Sequence, residues 1–304
     1  MDDRPIGVMA NFMISALGPA LAVVGTNPFD VIKCRLQMQN ELRRGVGPYR
    51  SIPDCLLKTY RAEGIRGLQR GLPVCVLRDF TKGFWRIGLY QPLIDVLRGG
   101  ERPSMNKRIL AGALCGCVSS AVSNPLDILK VRIQSSGGLG NVHYNVNSGY
   151  QGFRSILKGE GFRGLYRGTA INMIRSSVSA AVLLPTVSKS KEILADKFYL
   201  EESLGRDAIA SLIGSVFCTY SINPMDVART RLYNQPVVSG RGTLYHSIPD
   251  AFSKIIRNEG FLALYKGVVA HYFRVGPYIV LSFVFIGIFR RRWLDYTTAD
   301  RLKW

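Results

Sequence analysis

NPFDVIKCRLQMQ begins at Asn27, NPLDILKVRIQSS at Asn124 and NPMDVARTRLYNQ at Asn223. The three prolines of this pattern, Pro28, Pro125 and Pro224, stand 97 and 99 residues apart. A second signature keeps the same interval: EGIRGLQRG from Glu63, EGFRGLYRG from Glu160 and EGFLALYKG from Glu259. Two motifs recurring three times in register exclude coincidence, so the chain is three tandem units of about 100 residues. We place the units at 6–98, 104–195 and 203–294.

Each unit reads alike. A small-residue-rich apolar segment leads into the proline, as in LAGALCGCVSSAVSNP from Leu110. A basic, Gly-rich stretch follows, with a short amphipathic piece such as SIPDCLLKTYRAEG from Ser51. A second apolar segment starts after the last Gly of the EG signature. With the turns beyond each proline, these segments reach the roughly 20 residues that cross a bilayer, although charges interrupt some of them. The expected fold is an all-α membrane protein of six transmembrane helices in three pseudo-threefold repeats, each repeat adding a short amphipathic helix. Even parity puts both ends on one side. Gly112, Gly116 and Ser120, and Ala210, Gly214 and Cys218, recur at i, i+4 and suit close helix approach.

Composition agrees. The 304 residues carry a net charge of +19, yet 47% are hydrophobic, too many for a disordered basic chain. A soluble helical repeat on nucleic acid would need polar outer faces. Leu183, Val280, Leu281, Phe283, Val284, Phe285 and Ile286 crowd against that, so no nucleic-acid partner is expected. Positive charge follows the first proline in Lys33, Arg35, Arg43, Arg44, Arg50, Lys58, Arg61, Arg66 and Arg70, and similarly in the other units. That face belongs on the side of the negatively charged leaflet. The cysteines (Cys34, Cys55, Cys75, Cys115, Cys117, Cys218) form no CxxC, and His143, His246 and His271 accompany no acidic cluster at ligand spacing. All nine read as fillers and loop polars, with no disulfide, metal or cofactor expected. No nucleophile–base pair suggests an enzyme. Asp2 and Asp3 precede the first apolar run, which fits neither a transit nor a signal peptide and reads as a mature helix.

A proline, an acid two residues on, bases five and seven residues on, and then the EG signature, three times over, resembles the mitochondrial carrier family. The likeness covers about residues 6 to 294. Prolines within helices remove a backbone bond and kink the helix, here at Pro28, Pro125 and Pro224. Asp30, Asp127 and Asp226 follow each kink, with Lys33, Lys130 and Arg229 one turn later. Acids and bases inside a membrane need partners. Joined between neighbouring repeats, they would form a ring, and the resemblance implies that this ring is the matrix gate of an alternating-access carrier. It also implies bracing glutamines at Gln37 and Gln134, where the third repeat carries Tyr233. Arg70-Gly71, Tyr166-Arg167-Gly168 and Tyr265-Lys266-Gly267 open the even helices. Helix-start amides beside a base suit a lipid phosphate, and the resemblance implies cardiolipin there; the first repeat has Gln69 in place of the aromatic. The opposite gate of the family ends even helices with an acid. Here Gln91, Ser188 and Gly287 stand instead, with Lys191 and Arg290 nearby, so that gate should rest on weaker contacts.

Arg78, Lys82 and Arg86 lie at i, i+4, i+8 and share one helical face. Such a face must line a wet interior rather than lipid. Asp79 sits beside them and can offset one charge. Arg78, Arg175 and Arg274 each fall seven residues past Gly71, Gly168 and Gly267, which makes them symmetry equivalents at the depth where the family binds substrate. A cationic cavity argues for a small multivalent anion, since guanidinium forks suit carboxylates; the alternative is that these arginines only bond helices together. RIGLYQPLI from Arg86, Leu184-Pro185 and TRLYNQP from Thr230 with GRGTLY look like the oxaloacetate carrier and its animal relatives. FRVGPYIVLSF, with Arg274 and Pro277, is shared with dicarboxylate and oxoglutarate carriers, and Arg78 matches the dicarboxylate branch. The resemblance thus implies a monomer in the mitochondrial inner membrane with both termini in the intermembrane space. It further implies oxaloacetate-like dicarboxylates as the cargo, with sulfate-like anions among the candidates. Dicarboxylate/oxoglutarate exchange and an uncoupling-type proton leak are the alternatives.

Overall fold

The computed structural model describes residues 8–42, 47–98, 104–137, 148–198, 204–238 and 241–301. Arg43, Arg44 and His143 lie outside them. Among the described residues ten α-helices follow in order, with a 3-10 turn (Phe261–Tyr265) before the last: α1 (Val8–Met38), α2 (Ile52–Leu68), α3 (Leu72–Gly88), α4 (Tyr90–Arg98), α5 (Met105–Ser135), α6 (Gly149–Gly164), α7 (Thr169–Phe198), α8 (Leu204–Asn234), α9 (Ile248–Glu259) and α10 (Val268–Arg301). A short hairpin, β1 (Val237–Val238) and β2 (Arg241–Gly242), precedes α9.

Threefold repetition of sequence produces threefold repetition of structure. The helices leading through the motif prolines, α1, α5 and α8, are each 31 residues long and run on past Pro28, Pro125 and Pro224. Ser51, Ser148 and Ser247 cap the short helices α2, α6 and α9, each hydroxyl accepting from the amide three residues on at 3.2–3.3 Å. Two glycines then turn the chain in every repeat. Gly64, Gly161 and Gly260 follow the EG glutamate with φ of +66°, +68° and +90°, and Gly71, Gly168 and Gly267 precede the even helices with φ of +69° to +74°. Other residues rarely adopt such angles. That is why the EG signature keeps glycine at its second and last positions.

The long helices close into a barrel: α1 packs on α3 and α10, α3 on α5, α5 on α7, α7 on α8, and α8 on α10. Small residues set the seams. A Cβ on Gly83 would lie 2.4 Å from the Ser15 carbonyl oxygen, and one on Gly116 3.0 Å from Ser176 Cβ. Ser120 and Ser176 share a 2.6 Å hydroxyl bond, and Gly112 faces Ala180 and Leu184. The expected i, i+4 small-residue stripe therefore lies between α5 and α7. Large apolar side chains point outward at helical spacing, with Leu17, Leu21 and Val24 on α1, Leu110, Leu114, Val118 and Val122 on α5, and Ile209, Ile213 and Phe217 on α8 exposed. The inner face is polar and buried, the reverse of a soluble bundle.

Among the described residues, five helices are long and apolar enough to cross a membrane. The second wall differs. It is built from α3 and α4, divided at Leu89, and α3 holds Arg78, Asp79, Lys82 and Arg86 within 17 residues. Its charges, turned into the barrel, dilute the hydropathy that marks the other five.

Candidate functional site

The acids and bases beyond the prolines meet at one end of the barrel. Lys33 on α1 contacts Asp226 on α8 at 2.7 Å, and Lys130 on α5 contacts Asp30 on α1 at 2.7 Å. The third link, Arg229 on α8 to Asp127 on α5, measures 3.9 Å. Arg229 divides itself, lying 3.3 Å from Asp226 and donating to Asn172 Oδ1 at 3.1 Å. Each repeat thus reaches its neighbour, with two tight links and one slack one. The three aspartates are buried. Buried charges must be paired, and breaking such a pair from one side costs about 3–5 kcal/mol.

Below the ring, the second base of each proline motif joins the EG glutamate. Arg35 contacts Glu63 at 2.6 Å, Arg132 contacts Glu160 at 2.5 Å, and Arg231 grips Glu259 with both guanidinium arms. The same glutamates hold Arg70 at 2.6 Å, Arg167 at 3.3 Å and Lys266 at 2.5 Å. The bases expected to attend a lipid phosphate are therefore committed to an acid. We gave these glutamates no role from sequence. Their signal was present: an acid repeated at the interval of the prolines, beside a repeated arginine.

The braces differ from expectation. Gln134 donates to Asn27 Oδ1 at 3.1 Å, and Tyr233 Oη donates to Asn124 Oδ1 at 2.6 Å. The tyrosine makes the link expected of a glutamine. Gln37 makes a different one, accepting from Thr230 at 2.9 Å. Its counterpart asparagine, Asn223, instead has His271 Nδ1 3.2 Å from its Oδ1. His271, which reads from sequence as a filler or loop polar, has a single acid as its neighbour in the structure. It is fully buried, and its Nε2 lies 3.0 Å from Asp226. The partner comes from another helix, which linear spacing does not reveal.

A cavity of about 430 Å³ extends from the ring along the barrel axis to Tyr90, Leu183 and Ile286. Arg78, Lys82, Arg86, Arg175, Arg229 and Arg274 line it, against one acid, Asp79. The space among the ring residues beneath is only about 20 Å³, room for roughly one water. The sequence points to a cationic cavity for an anion, or else to arginines that bond helices together. Most are engaged: Arg78 with Asp79 and, at 3.6 Å, with Asp127; Lys82 with Asp127 at 2.7 Å; Arg175 with Asp226; and Arg274 with Asp30 at 2.8 Å. The ring aspartates thus serve two layers of cations at once. At the opposite end, the described residues form no matching ring. Lys191 pairs with Asp207 at 2.7 Å between α7 and α8, and Gln91 donates to Asp95.

A cavity that sets six cations among apolar walls, inside a helical barrel with an apolar outer face and shut at one end by ion pairs between repeats, defines a membrane transporter of threefold design. The chain belongs to the mitochondrial carrier protein family, whose sequence profile matches residues 4–100, 101–198 and 201–297. Among its relatives, the mitochondrial substrate carrier family protein ucpA of Dictyostelium discoideum is 34% identical over 93% of this chain and 94% of its own length. The probable mitochondrial 2-oxoglutarate/malate carrier protein of the same organism is 31% identical, over 93% of this chain and 89% of its own. The mitochondrial oxaloacetate transport protein of Saccharomyces cerevisiae is 30% identical, again over 93% and 89%.

Proposed function

We propose that this protein carries small multivalent organic anions, oxaloacetate-like dicarboxylates foremost, across the mitochondrial inner membrane by alternating access. The observation that carries the reading is the charge of the cavity, six cations against one acid in a space suited to a small ligand. Arg78, Arg175 and Arg274 hold carboxylates, with Lys82 and Arg86 adding positive potential. The Asp30, Asp127 and Asp226 ring is the matrix gate. A carboxylate arriving at Arg175 or Arg274 replaces the aspartate now bound there, so loading the cavity weakens the gate. Relatives named for oxaloacetate and for 2-oxoglutarate/malate support the substrate class, and favour dicarboxylate/oxoglutarate exchange as the second reading. The protein acts as a monomer with three repeats, 6–98, 104–195 and 203–294, and both termini in the intermembrane space. Cardiolipin phosphate sits on the amides that open α3, α7 and α10 beyond Gly71, Gly168 and Gly267.

Liposomes loaded with radiolabelled oxaloacetate, malate, malonate, sulfate or ADP test this. Oxaloacetate and malate should move and ADP should not; proton conductance without movement of any of these anions would leave the leak reading instead. In the same assay the Asp127→Asn, Asp226→Asn pair should lower transport at least tenfold while the protein still inserts, because Lys82, Arg175 and Lys33 lose their counter-charges. Normal rates in that pair would remove the gate assignment.

A further inference from the structure

His271 meets an oxygen at each of its ring nitrogens. Nδ1 lies 3.2 Å from Asn223 Oδ1, and Nε2 lies 3.0 Å from Asp226 Oδ2. The asparagine is fixed as an acceptor there, because its Nδ2 donates to the Leu264 carbonyl at 2.8 Å. A neutral imidazole has one N–H for these two oxygens. Nδ1 is aligned to donate to Asn223, whereas Nε2 makes no hydrogen bond among the described residues, although the side chain is fully buried. The hydrogen therefore belongs on Nδ1, and a bare lone pair faces the carboxylate. The other repeats solve the same position differently. His271, Asn172 and Cys75 each fall four residues past Gly267, Gly168 and Gly71. Asn172 Nδ2 donates to Asp127, the ring acid of its own repeat, at 2.8 Å. His271 brings no such hydrogen to Asp226.

We propose that His271 Nε2 is a proton-binding site built into the ring, and that a proton held there opposes closure of that end. The proposal rests on the gate reading above and adds a ligand to it. The charged groups about the imidazole are Lys33 from α1, Asp226 and Arg229 from α8, and Arg175 from α7; Arg274, on α10 itself, is paired with Asp30. Asp226 thus already serves three cations, and Lys33 holds, at 2.7 Å, the same Oδ2 that Nε2 faces. A proton taken from water onto the Nε2 lone pair makes the imidazole a fourth cation at one carboxylate. It repels Lys33, whose bond to Asp226 is the α1–α8 link of the ring. Like charges crowded in a buried site repel more strongly than in water. Where the link is parted and water enters, that repulsion is relieved, and an imidazole in water titrates near its ordinary value of about 6.5. Two states that differ in proton affinity are linked in both directions: acid favours the open ring, and opening the ring takes up a proton. The equivalent positions carry a thiol and an amide, so the third repeat alone brings an imidazole to its ring acid.

Spin labels across the ring end, one on α1 and one on α8, test this in the full-length protein. Between pH 8 and pH 5.5 the ratio of separated to closed label pairs should rise about tenfold in the wild type, the change one imidazole gives when it titrates near 6.5 only in the open state. In His271→Asn, which copies Asn172, the ratio should stay within about twofold over the same range. His271→Gln is a second neutral replacement, and unfolding temperatures near that of the wild type at pH 8 identify the variant that is folded and decides. An equal pH dependence in wild type and variant would overturn the proton site. So would a wild-type ratio that ignores pH or falls with acid. If the Asp127→Asn, Asp226→Asn pair transports at the normal rate yet the pH dependence of the labels still requires His271, the gate reading falls and the proton site stands.

Discussion

Tyr233 makes a bond that its sequence neighbours would assign to glutamine. Its ring packs over Gly168, where a Cβ would fall 2.7 Å from Tyr233 Cε1, and its hydroxyl reaches Asn124 in the next repeat. The Arg229 guanidinium lies 5.7 Å from the centre of the same ring. Tyr233→Phe keeps the packing and strands the Asn124 carbonyl in a buried site, a loss of about 1–3 kcal/mol. A lower unfolding temperature in detergent should report it, and an unchanged one would show that water replaces the bond. At this scale the sequence told much and missed some. The residue types of the ring were spelled out by register, because an aspartate and a base three positions apart past a proline recur in all three copies. The cross-partners of Arg175, Arg274 and His271 were not, because each lies on another helix and depends on how closely the barrel closes.

At the scale of the element, the link between each proline helix and the next wall is a glutamate. Glu259 holds Arg231 and Lys266 and accepts the Leu42 amide at 2.7 Å, so it ties α8, the turn leading into α10 and the turn that follows α1 together. Burial works against its charge, but the bonds from Arg231, Lys266 and Leu42 prevail and hold the carboxyl below its ordinary value. A depressed acid contributes stability that is complete above the unfolded value, about pH 4.5, and is lost as pH falls through the lower folded value. The unfolding temperature of Glu259→Gln should therefore lie below the wild type at pH 7, by the equivalent of ~1–3 kcal/mol. The gap should narrow as pH falls below the unfolded value and through the lower folded one; a gap independent of pH would assign the loss to packing. Elements were the most legible part of the sequence. Cap serines, paired glycines and apolar runs fix α2, α6 and α9 and the long walls from local chemistry alone. The break at Leu89 carries a local signal, Gly88 at the end of α3 and Pro92 four residues on, which reading the second wall as one apolar segment passes over.

Across the whole molecule, three sequence copies would give three equal seams if every position matched. They do not match. Lys33–Asp226 and Lys130–Asp30 are 2.7 Å contacts, but Arg229–Asp127 is 3.9 Å because Asn172 and Asp226 draw the guanidinium aside. Spin labels placed across the ring end should separate between α5 and α8 before they separate between α1 and α5 or between α1 and α8. Simultaneous separation would mean that the slack contact carries as much as the tight ones. A latch with three identical bolts has no first bolt to draw. Here one bolt is already half withdrawn, and a machine assembled from copies of a single part thereby acquires a sequence of operation: where to yield first, and along which line to swing.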